Sequence, residues 1–268
     1  MLDAHIRRIE KPRPPDGLWH PSSLFGCARQ AVYEIRGVPQ SDQRDGRSRR
    51  ILRLGTTVHE IVQEAFIHES GAKAVYNEVA VDIPVLGVTG HCDTLLEYED
   101  FSDFDDDEIA GNPIPDDDYE LLEFKSIGVN GFRYLSGPKP DHESQARAYL
   151  YGLREYGGHV AGPLCFDDEG GVHDMDCVLL PPLGDKLGRG RIAYFSRDDL
   201  RIEEFVFEHD PDWDEKFLAD IAHLDTFRGG NALPPRLPLE EGKRNWLCAD
   251  YCLWRTRCWN QDAEGEQL

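Results

Sequence analysis

The sequence predicts an α/β fold in which a mixed central sheet is flanked by helices. Stretches with the 3.6-residue apolar period of amphipathic helices are interleaved with stretches that alternate apolar and polar residues, as half-buried strands do. The chain of 268 residues is also long enough to bury a substantial core without disulfide bonds. We therefore expect residues 1–268 to form one domain.

Caps and apolar spacing mark the helices. A Ser-Ser cap begins a predicted helix over 22–36, and apolar residues that include Leu54 and Ile61 recur at helical spacing within 51–68. Further helices are predicted over 141–156 and 211–227.

Alternation of apolar and polar residues marks the strands. The predicted strands cover 75–83, 88–96, 119–126, 159–166, 172–180 and 201–208. The first three are consecutive, with an acidic insertion connecting the second to the third, and they predict an antiparallel meander. The Pro- and Gly-rich stretch 181–190 is interpreted as a joint before the last strand.

The net charge is strongly negative and unevenly placed. The chain has 29 Lys and Arg against 51 Asp and Glu, a formal charge of −22, which excludes a generic basic coat for nucleic acid. Residues 97–120 contain twelve acids and no base, and we expect this acidic insertion to be a solvated surface loop between two strands.

One short segment reverses this charge. Residues 44–53 carry five arginines and one aspartate, which predicts either a phosphate-facing patch that includes Arg49, Arg50 and Arg53 or a solvated helix start. There is no apolar run of about 18 residues and no apolar leader. We therefore expect a cytoplasmic protein with no membrane partner.

Two carboxylates and a lysine are predicted to converge on the sheet. Asp93 lies near the middle of one strand, and Glu123 and Lys125 lie two residues apart on the next, so they share a face. Two carboxylates that close together favour a hard divalent cation such as Mg²⁺ or Mn²⁺, and the backbone carbonyl of Phe124 could supply a further ligand. The alternative is an ordinary cross-strand salt bridge.

The order of these motifs resembles the PD-(D/E)XK nucleases, in particular the RecB-like group. The residues that carry the resemblance are His59 in RLGTTVHEIV, Asp93 in GHCDTLL, Glu123 and Lys125 in LLEFKS, and Gln145 and Tyr149 in ESQARAYLYGL. The resemblance implies a restriction-endonuclease-like core. It also implies that His59, Asp93 and Glu123 bind the metal and that Lys125 is catalytic. Gln145 and Tyr149 would support the site and contact DNA from the neighbouring helix.

Three cysteines cluster near the C-terminus. Cys248, Cys252 and Cys258 form a C-x3-C-x5-C run, and thiolates at this spacing suggest a zinc or iron-sulfur site that needs a fourth ligand. The chain also resembles iron-sulfur RecB-like nucleases, namely the Cas4-like CRISPR-associated exonucleases and the nuclease domain of AddB. That resemblance implies Cys27 as the fourth ligand of a 4Fe–4S cluster, which would join segments 22–36 and 245–259. Zinc stays open as the alternative occupant.

The resemblance implies a metal-dependent DNA exonuclease. We expect Mg²⁺ or Mn²⁺ as cofactor, single-stranded DNA or DNA ends as substrate, 5′ to 3′ polarity, and DNA contacts from Arg29 and the 44–53 patch. Recombination or CRISPR-adaptation proteins are the partners that the family suggests, and an oligomer is compatible with it. The rival hypotheses are a catalytically inactive iron-sulfur adaptor that binds DNA and a zinc-stapled regulator.

Overall fold

A computed structural model describes residues 15–69, 71–98, 118–160, 164–166, 172–174, 178–238, 245 and 247–264. The helices are Pro21–Leu24 (α1), Ala28–Ile35 (α2), Gly46–Glu69 (α3), Val129–Arg133 (α4), Pro140–Tyr156 (α5), Pro211–Asp225 (α6) and Arg255–Glu264 (α7). A single turn of π-helix, Leu247–Tyr251, precedes α7.

The strands form one sheet. They are Ala74–Ile83 (β1), Val88–Glu97 (β2), Tyr119–Ile127 (β3), Gly158–Val160 (β4), Leu164–Phe166 (β5), Val172–Asp174 (β6), Val178–Leu180 (β7), Arg189–Ser196 (β8) and Ile202–Glu208 (β9). Their order is β6-β5-β1-β2-β3-β8-β9, with β4 and β7 paired beside β1.

The sheet is mixed because one central pair is parallel. β1, β2 and β3 form an antiparallel meander, β8 joins β3 in parallel, and β9 returns antiparallel to β8. A parallel neighbour needs a long crossover connection, and α5 lies within it. The predicted α/β fold class, a mixed central sheet flanked by helices, is confirmed.

Each face of the sheet packs against a helix. On one face Leu121 of β3 belongs to the same buried cluster as Leu150 and Leu153 of α5. On the other face Leu122 and Phe124 form a second cluster, and Val58 and Val62 of α3 pack against it. The regular alternation along β3 therefore directs odd-numbered residues toward α5, and Glu123 and Lys125 are among them.

The sequence interpretation missed β8. The composition of residues 181–190 predicts a joint, but Gly190 lies inside β8, where the ring of Phe207 occupies the space that a Cβ atom would need. The following residues, Ile192, Ala193 and Tyr194, are fully buried between β3 and β9. A glycine that allows close packing was thus misread as a turn signal.

The predicted helices also differ from those observed. The stretch 22–36 contains two helices, with Cys27 immediately before the second. α3 begins at Gly46 rather than near residue 51. Leu54 and Ile61, expected on its buried face, are 46% and 61% exposed. The helix therefore buries a narrower stripe than its sequence suggested.

The ends of the predicted acidic insertion belong to strands. Glu97 is the last residue of β2, and Glu120 lies in β3, while 99–117 fall outside the described residues. Glu120 is fully buried, where it accepts hydrogen bonds from Arg191 at 3.0 Å and forms an ion pair with Arg189. This carboxylate is a structural part of the sheet.

No helix in the described ranges is both long enough and apolar enough to cross a membrane.

Candidate active site and cysteine cluster

Asp93 lies where two neighbouring strands separate. The ladder between β2 and β3 runs from the pair Glu97 and Tyr119 to the pair Thr94 and Leu122 and ends there. The next backbone N–H, that of Phe124, donates instead to Asp93 Oδ2 at 2.7 Å. The aspartate side chain thus replaces a ladder bond and is fixed at the opening between the strands.

Glu123 and Lys125 extend from β3 toward α5. Lys125 Nζ donates to Glu123 Oε2 at 2.8 Å and to Gln145 Oε1 at 3.1 Å. The Glu123 side chain is 1% exposed, and its second oxygen, Oε1, has no hydrogen-bond partner among the described residues. A buried carboxylate oxygen in this state is costly unless a cation or a proton satisfies it.

The ionisation of these groups is coupled. Burial first, and then repulsion by Asp93, raise the pKa of Glu123 to about 7, although Lys125 opposes the shift. Burial alone would raise the pKa of Asp93, but the contacts with His59, Lys125 and the Phe124 N–H lower it overall. Burial would lower the pKa of Lys125, but the two carboxylates raise it. Lys125 is therefore held as a cation beside them.

His59 approaches the same carboxylate from α3. Its Nδ1 lies 3.6 Å from Asp93 Oδ1, and the side chain is 26% exposed, so the imidazole borders solvent. The structure thus places His59, Asp93, Glu123 and Lys125 near one another.

The donor set fits a divalent cation. It offers the unsatisfied Glu123 Oε1, a second carboxylate and an imidazole, which are oxygen and nitrogen donors suited to Mg²⁺ or Mn²⁺. In the described part of the chain, however, no three His, Cys, Asp or Glu side chains already have the close arrangement that holds a metal ion. The groups would therefore have to move together when a cation binds. The Phe124 carbonyl stays a predicted ligand.

Gln145 and Tyr149 connect Lys125 on β3 with Gly90 on β2 through a chain of contacts. Gln145 bonds Lys125 through its oxygen, and its Nε2 lies 3.4 Å from Tyr149 Oη. Tyr149 is only 3% exposed and packs against Gly90, where an added Cβ would lie 2.8 Å from the tyrosine ring. The Gly-x-x-Asp and Gln-x-x-x-Tyr motifs therefore meet physically. Of the two helix residues, Gln145 lines the open cavity, whereas Tyr149 is in the core.

Two residues near Asp93 were not found from the sequence. Gln63 of α3 donates through Nε2 to the Asp93 backbone carbonyl at 2.8 Å and to Glu78 Oε1 at 3.3 Å. Glu78 has φ of 51°, a left-handed conformation unusual for a residue within a strand. The i, i+4 spacing of His59 and Gln63 was the available signal, since it places both on one helix face.

A cavity of about 350 Å³ connects the Lys125 site with the cysteine-bearing segments. Its polar lining includes Gln30, Lys125, Asp141, His142, Gln145 and Asn245. Cys27 lines it as well, so one continuous cleft runs from the candidate active site to the N-terminal cysteine.

The four predicted cluster cysteines surround one small cavity. Cys27, Cys248, Cys252 and Cys258 all line it. Burial raises the pKa of Cys27, and burial together with the neighbouring cysteines raises that of Cys252 to about 11. Without a cation the thiols of Cys27 and Cys252 are therefore protonated, whereas metal binding would require thiolates. Sulfur donors of this kind bind zinc or an iron-sulfur cluster, but in the ranges that the structure describes no three of these cysteines are already close enough together to hold a metal ion.

Protein contacts already hold the C-terminal segment in place. Trp254 is 3% exposed, stacks on Tyr33 with ring centroids 6.0 Å apart, and donates through Nε1 to the Val38 carbonyl at 2.8 Å. Asp42 accepts from the Thr256 backbone N–H at 2.7 Å at the start of α7. Trp254 thus serves the core and is not available to stack on bases.

The predicted DNA-binding arginines occupy two places. Arg29 lies beside the cysteines, where Nε donates to the Pro234 carbonyl at 2.8 Å and Nη1 lies 3.8 Å from Cys258 Sγ. Arg49, Arg50 and Arg53 lie on α3, with Arg50 and Arg53 exposed. The α3 residues are therefore on the helix that carries His59, whereas Arg29 is held at the cysteine cavity.

No family model matches the chain, and no curated protein matches it. Solved structures with a similar fold include the crystal structure of SSO0001, which is 14% identical over 96% of this chain and 92% of that one, with a TM-score of 0.50. They also include an alkaline exonuclease, LHK-Exo from Laribacter hongkongensis, which is 12% identical over 79% and 88% of the two chains, with a TM-score of 0.45. LHK-Exo in complex with dAMP is 13% identical over 78% and 87%, with a TM-score of 0.42. The likeness to SSO0001 shows a shared fold.

Proposed function

We propose that the protein is a metal-dependent DNA exonuclease that hydrolyses phosphodiester bonds. The observation that carries the proposal is the buried Glu123 carboxylate, with one oxygen bonded to Lys125 and the other without a partner, beside Asp93. An ordinary cross-strand salt bridge would not explain why the half-buried carboxylate of Asp93 lies beside that of Glu123. A cation between the carboxylates removes their repulsion and satisfies the open oxygen.

The chain's own residues have distinct roles in this chemistry. Asp93, Glu123 and His59 would hold Mg²⁺ or Mn²⁺, and the backbone carbonyl of Phe124 is a further candidate ligand. When bound, the ion would lower the pKa of a water molecule and place positive charge beside the phosphate. Lys125, kept charged by the carboxylates, would stabilise the negative charge that develops at phosphorus. Gln145 holds the ammonium group in place through its side-chain oxygen.

The reaction is an in-line substitution at phosphorus. Water adds as the 3′-oxygen leaves, and the water proton lost is balanced by the proton taken up by the leaving oxygen. The products carry a 5′-phosphate and a 3′-hydroxyl. We propose single-stranded DNA or DNA ends as substrate and 5′ to 3′ polarity on the family resemblance.

DNA would have to approach an acidic protein, with a formal charge of −22. The exposed Arg50 and Arg53 on α3 and the Lys125 end of the polar cleft provide local positive charge. Binding through contacts between these cationic groups and phosphates should weaken as salt rises, with a slope proportional to the number of such contacts. Recombination or CRISPR-adaptation proteins remain proposed partners.

For the cysteine cavity we propose a 4Fe–4S cluster that fastens 22–36 to 245–259. The support is that Cys27 lines the same cavity as Cys248, Cys252 and Cys258 although it is far from these three in sequence. Anaerobically purified protein should absorb visible light and contain about four iron atoms per chain. Colourless protein with one zinc per chain would favour the zinc-stapled alternative.

Cleavage of end-labelled oligonucleotides in Mn²⁺ tests the catalytic proposal. Wild-type protein should release mononucleotides, and Lys125→Ala should stop release while the variant, although less stable without the buried ion pair, remains folded at the assay temperature. The matched control is Lys216→Ala, because Lys216 is an exposed lysine on α6 that pairs only with Asp220 among the described residues. Retained cleavage in Lys125→Ala refutes the site, and DNA binding without cleavage by wild-type protein supports the inactive adaptor.

A further inference from the structure

His142 is a half-buried histidine that the proposed chemistry leaves unused. It lies in the first turn of α5 and lines the same 350 Å³ cavity as Lys125 and Gln145. Its side chain is 22% exposed, so one edge of the ring remains open to the cavity. A cavity of this volume is within the range that holds small molecules.

Tyr194 fixes the orientation of this imidazole. The two rings stack with centroids 5.6 Å apart, and His142 Nδ1 lies 3.0 Å from Tyr194 Oη. Tyr194 is fully buried on β8, and its oxygen already accepts the Lys139 backbone N–H at 2.9 Å. The phenolic proton is therefore available to Nδ1, and we assign the ring proton to Nε2.

Burial and two nearby lysines keep the His142 imidazole neutral. Burial lowers its pKa to about 4, Lys125 and Lys139 act in the same direction, and Asp141 opposes them. The Asp141 Oδ2 atom is 3.9 Å from Nε2, which is beyond hydrogen-bond distance. No residue in the described ranges bonds to Nε2, which is a donor left free at the edge of the cavity beside a cation.

We propose that His142 binds the nucleic-acid strand by donating its Nε2–H to a phosphate oxygen in the Lys125 cavity, with Tyr194 as the residue that positions it. The inference rests on the proposed function, since it assigns a phosphate of the DNA strand to this cavity. A neutral donor beside Lys125 suits an anionic oxygen acceptor. It also adds directional recognition that a lysine cannot supply.

Binding of a labelled single-stranded oligonucleotide in EDTA tests the inference without requiring cleavage. His142→Ala should weaken binding about tenfold, the loss of roughly one hydrogen bond to a charged group. His142→Gln should recover most of that affinity, because its amide can place an N–H near the Nε2 position. His159→Ala, which changes an exposed histidine on β4, should bind as the wild type does.

Tyr194→Phe tests the positioning role. It should weaken binding less than His142→Ala and add nothing in the His142→Ala background, because its effect acts through the imidazole. In Mn²⁺ the same variants should raise KM more than they lower kcat. Wild-type affinity in His142→Ala, or equal losses in the Ala and Gln variants, would overturn the inference. A wild-type protein that binds DNA but does not cleave it would instead count against the proposed function.

Discussion

Replacing Gly90 by Ala tests whether the Gly-x-x-Asp and Gln-x-x-x-Tyr motifs depend on direct contact. A Cβ atom at position 90 would lie 2.8 Å from Tyr149 Cε1 and 2.9 Å from its hydroxyl oxygen. Carbon atoms in contact are normally about 3.5 Å or more apart. Because the Tyr149 ring is buried, it must shift by several tenths of an ångström or the strand must move.

The cost of this overlap should be measurable. Inserting a methyl group into a well-packed core typically costs about 1–3 kcal/mol, and we expect Gly90→Ala to lower the free energy of unfolding by about 2 kcal/mol. If Tyr149 moved, it would also lose its contact with Gln145, which is the residue that bonds the Lys125 ammonium group. Cleavage should therefore fall together with stability.

Urea unfolding of the wild type, Gly90→Ala, Tyr149→Leu and the double variant gives the coupling energy between positions 90 and 149 directly. In a Tyr149→Leu background the smaller side chain leaves room for the methyl group, so Gly90→Ala should cost little and the coupling energy should be about 1–2 kcal/mol. Gly229→Ala is the control, because nothing lies within 4 Å of its added Cβ. If Gly90→Ala is as stable as the wild type, or costs as much in the Leu background, the contact between the motifs is not what requires glycine.

Three further predictions concern stability. Asp42→Ala should lower the free energy of unfolding by about 1–2 kcal/mol, because α7 loses the carboxylate that caps its Thr256 N–H, and an unchanged urea midpoint would contradict this. Glu78→Val should cost about 1–2 kcal/mol although valine favours strands, whereas Glu78→Gly should cost less, because the position has φ of 51°. In metal-free protein the pKa of Glu123 is raised from 4.5 to about 7, so the native state keeps a proton that the unfolded state has lost, and stability should fall as pH rises through that window. Glu123→Gln should remove up to about 3 kcal/mol of this decline. If chemical denaturation gives the same pH dependence of the free energy of unfolding for both proteins, the raised pKa of Glu123 is refuted.

The candidate site could be predicted largely because its motifs are local. Strand alternation is enough to place Glu123 and Lys125 on one face, and helical spacing places Gln145 one turn from Tyr149. The meander that brings Asp93 beside Glu123 follows from the pairing of strands that are consecutive in the chain, although the connection between β2 and β3, residues 98–118, is long. Only the family resemblance predicts Cys27 as a partner of the C-terminal cysteines, because residue spacing has no information about a contact between residues so far apart in the sequence.

Long-range pairing explains what the sequence interpretation missed. β8 lies between β3 and β9, and Tyr194 reaches His142 only through that parallel pairing. Gly190 resembles a turn residue until Phe207 is seen against it. Local periodicity thus determined most helices and strands and the shared face of Glu123 and Lys125, whereas the family resemblance added His59 to the reactive cluster. The neighbour of β3, the unsatisfied Glu123 oxygen and the orientation of His142 depend on contacts between residues far apart in the chain, which only the folded structure defines.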